Sequence, residues 1–372
     1  MNLATPYSLY FHVPFCARKC DYCHFYVIPD KPFFHEPFLR ALKSEWQLRK
    51  HLLPDQGLVS IYFGGGTPSR LNVLALEEIL TWIQPDSSVE ITLEANPDHV
   101  TLEDLYNYRR IGINRLSLGV QSLHDGMLQK LSRTHRSSHA CSVIDQAYQC
   151  GLTNLSIDLM YDLPDQTLEI WQQTLDRVCQ LPITHLSLYN LTIEPHTVFY
   201  KKRHALKVPD AETSLLMLRQ AEETLANSGF ERYEISAFAK ESKLSRHNMG
   251  YWTDRPFLGF GPSAFSDWNK KRFQNVPHFW RYVKACQEGR DPTGYEEQLD
   301  STERERERLT VGLRVLKGVQ THKPNLGLDS LIEEGWLEQD GSWIRLTSQG
   351  RLFYDTVCEK IYGLDLSYFT SC

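Results

Sequence analysis

Three cysteines fall within eight residues in Cys16-Ala17-Arg18-Lys19-Cys20-Asp21-Tyr22-Cys23. Three thiolates on one tight loop suit a soft metal or an iron–sulfur cluster. No fourth cysteine lies nearby, so one metal position would stay open for another molecule, whereas structural zinc closes its shell with four protein ligands. A zinc loop completed by His12 or His24 is the alternative. Cys141, Cys150, Cys179, Cys286, Cys358 and Cys372 offer no pair at ligand spacing and read as ordinary thiols.

Other unusual residues cluster further on. Gly64-Gly65-Gly66-Thr67-Pro68 lets the backbone approach a ligand closely and offer it N–H groups, although a tight turn would use the same residues. Glu94, in Leu93-Glu94-Ala95-Asn96-Pro97, puts a carboxylate where an amine or a ribose hydroxyl could be held. Ser117-Leu118-Gly119-Val120-Gln121 follows, then Arg133, read as lying on the next helix, and then Asp158 with Asp162, Pro164, Gln166 and Thr167 behind it. Taken singly, each polar group serves equally well as a cap, a turn residue or a solvated charge.

The positions of these clusters matter more than their composition. Six stretches rich in β-branched and aromatic residues (7–13, 58–63, 89–94, 114–118, 155–159 and 184–191) alternate with amphipathic segments, which predicts parallel strands joined by helices. Nearly every cluster falls at the C-terminal end of a predicted strand, where barrel enzymes assemble their sites, so an α/β barrel is favoured over an open sheet. From the helical run 211–228 the chain passes through 232–238 into an aromatic, glycine-bearing stretch, 247–267. The charge run Glu303 to Arg308 then opens a helix, and 331–346 reads as helix, strand, Asp340-Gly341 turn and strand, in winged-helix fashion. The predicted organisation is a core over 1–235, a connecting region over 236–300 and a winged-helix-like end over 301–372.

The chain has 372 residues and a net charge of −6, which argues against a nucleic-acid-coating or polybasic membrane-surface protein. From 301 onward acidic residues outnumber basic ones 11 to 9, so the winged end makes a poor DNA reader. No apolar run reaches the roughly 18 residues of a membrane span. The N-terminus lacks a secretory pattern, and nine scattered cysteines fit a reducing cytoplasm.

A Cys-x3-Cys-x2-Cys loop with an aromatic before its last cysteine, after a first barrel strand, resembles the radical S-adenosylmethionine superfamily. The resemblance implies a [4Fe-4S] cluster on Cys16, Cys20 and Cys23. S-adenosyl-L-methionine would occupy the open iron, and one electron would cleave it to a 5′-deoxyadenosyl radical. The ordered set of GGGTP, EANP, SLGVQ, the Arg133 segment and the Asp158 segment is similar to the oxygen-independent coproporphyrinogen III oxidase family, from about Tyr7 to beyond Phe265. By position, that family's cofactor contacts fall on Tyr10, Gly65, Gly66, Thr67, Glu94, Gln121, Arg133 and Asp158. The resemblance implies that Arg133 pairs with the methionine carboxylate, Glu94 accepts from the amine, and Asp158 and Gln121 bind hydroxyls or the adenine edge. The family commonly has glycine where Asp162 stands.

Two branches share this core. The oxidases have a further cysteine two residues after the third ligand, where this chain has Phe25, and an extension ahead of the first strand, where little precedes Phe11 here. His247-Asn248-Met249-Gly250-Tyr251-Trp252 matches the motif of haem chaperones of the HemW type. The resemblance implies haem as a further cofactor or cargo, with His247 as axial ligand and Tyr251 and Trp252 over the macrocycle. It also implies a haem-acceptor protein as partner, a respiratory membrane protein being one candidate. The expectation is a cytoplasmic haem chaperone on a partial (β/α)6 barrel, with no catalytic residue assigned and the oligomeric state open. An oxygen-independent coproporphyrinogen III oxidase, or another radical enzyme acting on a tetrapyrrole, is the alternative.

Overall fold

The computed structural model describes residues 5–321 and 328–363. The six expected strands form, as β1 (Tyr7–Val13), β2 (Leu58–Gly65), β3 (Glu90–Ala95), β4 (Arg115–Gln121), β5 (Leu155–Tyr161) and β6 (His185–Asn190). They pair in that order, all parallel. A seventh parallel strand, β7 (Phe257–Phe260), lies on the other side of β1 and was not foreseen. Antiparallel strands flank both ends, giving a 12-stranded sheet that runs from Thr293–Glu297 to Glu231–Glu234 and does not close among the described residues. The barrel is therefore partial.

Strand periodicity sorts the residues. One face carries Leu9, Phe11, Ile61, Phe63, Ile91, Leu93, Leu116, Leu118, Leu155 and Ile157, all buried in the main apolar core beneath the helices. The other face carries Ser8, Tyr10, His12, Ser60, Tyr62, Glu90, Thr92, Glu94, Arg115, Ser117, Ser156, Asp158, His185 and Ser187. Buried parallel strands are ordinarily apolar on both faces. A polar inner face costs desolvation unless its groups are paired, and pairs such as Ser8–Ser60, Tyr62–Glu94 and Ser156–His185 meet that cost in part.

The helices over the outer face start at good caps. Asn72 accepts from the Ala75 N–H, Thr167 from the Ile170 N–H, and Thr101 forms a capping box with Asp104. The first helix, α1 (Pro32–Arg49), ends in a buried ion network. Arg49 bonds Glu45 (2.7 Å), Asn275 (3.0 Å), Asp291 (2.7 Å) and Thr293 (2.9 Å), while Glu45 also accepts from the Gly261 N–H and the Tyr282 hydroxyl. This ties α1 to the antiparallel strands beyond β7.

Near the C-terminus, helix Ser301–Gly312 opens on an Asp300–Glu303 capping box, and its charge run is spent on pairs such as Arg304–Asp267 and Arg308–Glu305. Leu309, Leu313, Leu331, Leu337, Ile344, Leu346 and Val357 form an apolar cluster of their own, beside a three-stranded sheet. No helix among the described residues is long and apolar enough to cross a membrane.

Candidate functional site

The cysteine loop leaves the C-terminal end of β1, and the glycines that end β2 grip its stem. The Gly66 N–H donates to Val13 O and the Thr67 N–H to Phe15 O. A Cβ on Gly66 would sit 2.7 Å from Phe15 O, so only glycine permits this approach. The expectation that these N–H groups face a ligand is corrected for Gly66 and Thr67, because the loop stem uses both. Gly65, at φ +112, would place a Cβ 2.7 Å from the His12 ring.

A hydrogen-bond circuit joins two of the thiols. The Thr67 hydroxyl donates to Cys16 Sγ (3.8 Å) and accepts from Asn96 Nδ2 (3.1 Å). Asn96 Oδ1 accepts from Arg133 Nη2 (2.7 Å), and Arg133 Nη1 donates to Cys20 Sγ (3.7 Å). Both ends thus present donors to sulfur, the arrangement a thiolate needs. Burial pushes the Cys23 thiol up, and the neighbouring Cys20 and Cys16 sulfurs add to the shift. Among the described residues no three His, Cys, Asp or Glu side chains converge on a point that one ion could occupy. Three thiols on one loop, two of them facing hydrogen-bond donors, are a donor set that suits an iron–sulfur cluster. A cleft of about 410 Å3 opens between Cys16, Cys20, Thr67, Asn96 and Arg133.

Arg133 is not helical as expected. It lies between helices Asp125–Lys130 and Ser137–Gln149, with Ser132 at φ +58 breaking the run. The left-handed residue turns Arg133 over β4, where Nη2 reaches Gly119 O (2.5 Å). Gly119 leaves room for this, since a Cβ there would stand 2.9 Å from Asn96 Oδ1. Gln121 closes β4 at φ +67 beyond a register shift. Asp162 adopts φ +61, which accounts for the glycine common at its position, and Oδ2 accepts from the Ser214 hydroxyl (2.7 Å).

Tyr10, Tyr62, Glu94 and Asp158 share the middle of the lumen. Glu94 Oε1 accepts from the Tyr62 hydroxyl (2.7 Å), and burial pushes its carboxyl up to about 7. Burial likewise pushes Asp158 up to about 6, against a hydrogen bond from Ser187 and the fields of Arg115 and Arg133. The Tyr10 hydroxyl lies 3.2 Å from His12 Nδ1. Sequence reasoning missed Tyr62, Asn96 and Arg115. Arg115 is 2% exposed, its Nε has no partner, and its charge favours the ionised forms of Glu94 and Asp158. The signal available was the alternation of polar residues along each strand.

His247, implied by resemblance as a haem ligand, lies away from the cysteine loop. Its helix, Arg246–Trp252, packs at the N-terminal ends of the strands, against Ser60 and Glu90, whereas the cysteine loop lies at their C-terminal ends, about 16 Å along β2. His247 is 1% exposed, with Nδ1 2.9 Å from Ser60 Oγ and Nε2 2.8 Å from the Tyr251 hydroxyl, so both ring nitrogens are hydrogen-bonded inside the barrel. Its ring stacks on Tyr62 at 4.7 Å and braces the lumen floor. Burial holds its pKa down to about 3. The unfolded chain takes up a proton near 6.5, so stability from this group is present above 6.5 and lost as pH falls toward 3, by about 2 kcal/mol at pH 5. His247→Phe is expected to remove that slope and, by stranding the Tyr251 hydroxyl while Ser60 keeps its bond to Ser8, to cost about 1–3 kcal/mol near neutral pH; a changed haem absorption would mark His247 as the haem ligand. Thermal melts across pH with parallel Soret titrations check this.

Comparisons with known proteins agree with this geometry. The profile of the Radical SAM superfamily matches residues 10–178. Heme chaperone HemW of Bacillus subtilis is 33% identical over 379 residues, covering 96% of this chain and 99% of its own length. Heme chaperone HemW of Escherichia coli is 30% identical over 375 residues, covering 95% and 97%. Among solved structures, coproporphyrinogen III oxidase (HemN) from Escherichia coli, a radical SAM enzyme, matches with a TM-score of 0.83 at 25% identity, covering 96% of this chain and 90% of that one. The chain belongs to the radical SAM superfamily and, within its HemN-like family, to the HemW branch.

Proposed function

We propose that this protein is a haem chaperone that carries a [4Fe-4S] cluster on Cys16, Cys20 and Cys23, binds S-adenosyl-L-methionine beside it, and passes haem to an acceptor protein. The observation that carries the reading is the end-to-end likeness to relatives named as haem chaperones, which takes in the 179–363 region beyond the cofactor core. When bound, the cluster supplies an electron and an open iron position. The chain's own residues do the holding. Thr67 and Arg133 steady two of the sulfurs through Asn96, and the fixed Arg133 guanidinium keeps a positive charge beside the place where a carboxylate would sit. Glu94 and Asp158, with Arg115 behind them, supply acceptors for an amine and for hydroxyls.

The test is anaerobic reconstitution with iron, sulfide, S-adenosyl-L-methionine and haem, followed by spectroscopy and product analysis. The expected result is one cluster, one bound haem, haem transfer to an apo-acceptor, and no porphyrinogen turnover. Conversion of coproporphyrinogen III to protoporphyrinogen IX would overturn the chaperone reading in favour of the oxidase.

Glu94 gives the cofactor site a pH dependence. Its carboxyl titrates near 7, and an ammonium group binds the ionised form. Affinity for S-adenosyl-L-methionine is therefore expected to fall up to about tenfold per pH unit below 7, and again above about 8, where an α-amino group loses its proton. Equilibrium dialysis of the reconstituted protein measures this, and Glu94→Gln flattens the acidic limb.

A further inference from the structure

With His247 sealed inside the floor, two clefts lined by aromatic side chains offer room for a large flat ligand. One lies under Tyr251 and Trp252, and its arginines are already used: Arg255 donates to the Ser8 hydroxyl and to Arg246 O, Arg272 pairs with Glu297 and Glu307, and Arg308 with Glu305. The other, about 1000 Å3 out to its mouth, lies between the open side of the barrel at Tyr161 and Tyr189 and the C-terminal helices at Phe353 and Tyr354. Tyr189 is 44% exposed and Phe353 49%, so two aromatic faces are bare in a cleft whose wall is otherwise mostly polar.

Its charge is also unbalanced. Arg232 is bound to Glu222, and Arg314 to Glu234 and Ser236. The Arg351 side chain makes no hydrogen bond or ion pair among the described residues, and its Nε is buried without a partner. The carboxylates whose field reaches it, Glu222 and Glu338, are held by Arg232 and Arg345. Asp355, also on the cleft wall, is exposed to solvent. Burial and the adjacent Arg232 cation push the Arg351 pKa down, the condition that an incoming anion relieves. The Tyr189 hydroxyl lies in the field of Asp158 and Glu94, so this cleft borders the cofactor end of the lumen.

We propose that this cleft is the cargo site: a flat, mostly apolar macrocycle lies against Tyr189 and Phe353 with a peripheral carboxylate on Arg351. The proposal rests on the haem-chaperone reading and places its cargo. No His, Cys or Met lines the cleft, so recognition is by ring face and carboxylate rather than by iron.

The experiment titrates the full-length protein with haem, with metal-free protoporphyrin IX and with protoporphyrin IX dimethyl ester, following absorption and tyrosine quenching. Haem and the free acid are expected to bind with similar affinity and the diester at least about tenfold more weakly. Arg351→Met should weaken both acids about tenfold while leaving the apo-protein's Tm unchanged or higher, since no partner is lost, and Arg351→Lys should recover part of the affinity. Phe265→Ala, in the other cleft, should bind as the parent does. Haem binding indifferent to Arg351 and to esterification overturns this site and leaves the chaperone reading standing. A parent protein that binds neither haem nor protoporphyrin overturns the chaperone reading itself.

Discussion

Cys20→Ser is expected to lose the cluster, with iron and sulfide after anaerobic reconstitution falling by about an order of magnitude and the spectral response to S-adenosyl-L-methionine disappearing. Serine oxygen is a hard, weakly acidic ligand in a site built for soft thiolates, and two remaining thiols cannot hold three irons. The substitution also removes the sulfur that Arg133 Nη1 faces, so the circuit through Asn96 to Thr67 loses its terminus. Cys141→Ser, on the outer helix Ser137–Gln149, should keep its iron. Full iron content in Cys20→Ser, or stoichiometric zinc in the parent, would refute the cluster assignment.

Arg49→Met is expected to give the largest loss of stability, about 3–5 kcal/mol, because it leaves Glu45 as an uncompensated charge at 0% exposure. Burial already holds the Glu45 carboxyl up in the parent, with Arg49 opposing. Without the guanidinium, Asn275, Asp291 and Thr293 also lose a shared donor. Adding Glu45→Gln should recover part of the loss, since the carboxamide can still bond Tyr282 and carries no charge. Thermal melts of both single variants and the double variant measure this. Additive losses would mean that the two side chains act separately.

The parts of this architecture legible from sequence are those set by local periodicity. β1 to β6 could be read because β-branched runs alternate with amphipathic helices, and the cysteine loop because its spacing serves little else. β7 escaped because four residues in a glycine-bearing stretch carry no period of their own; its strand character comes from pairing with β1. The sequence predicts a helix through Arg133 because nothing in Leu131-Ser132-Arg133 announces a left-handed serine. His247 was read by its motif alone. Which end of a barrel a helix closes depends on where the chain returns from, and that is tertiary information. Arg115 sits at the start of β4, where an arginine ordinarily reads as solvated. Only the run of polar residues at every second position, across six strands together, marks it as facing inward.

The pairing of β7 with β1 also orders events during synthesis. At about 5–20 residues per second, the chain from Val13 to Phe260 takes about 12–50 s to make. Until then the first strand has one bare hydrogen-bonding edge, open to pairing with the same segment of another nascent chain. The Glu45–Arg49 pair meanwhile waits in water for Asn275 and Thr293, more than two hundred residues downstream. The cysteine loop hangs from that same unfinished strand, so iron delivered early would meet ligands before their frame exists. On the proposed reading, cluster insertion is thereby favoured only once β7 and the strands beyond it have been made, and truncated chains ending before Phe257 should aggregate.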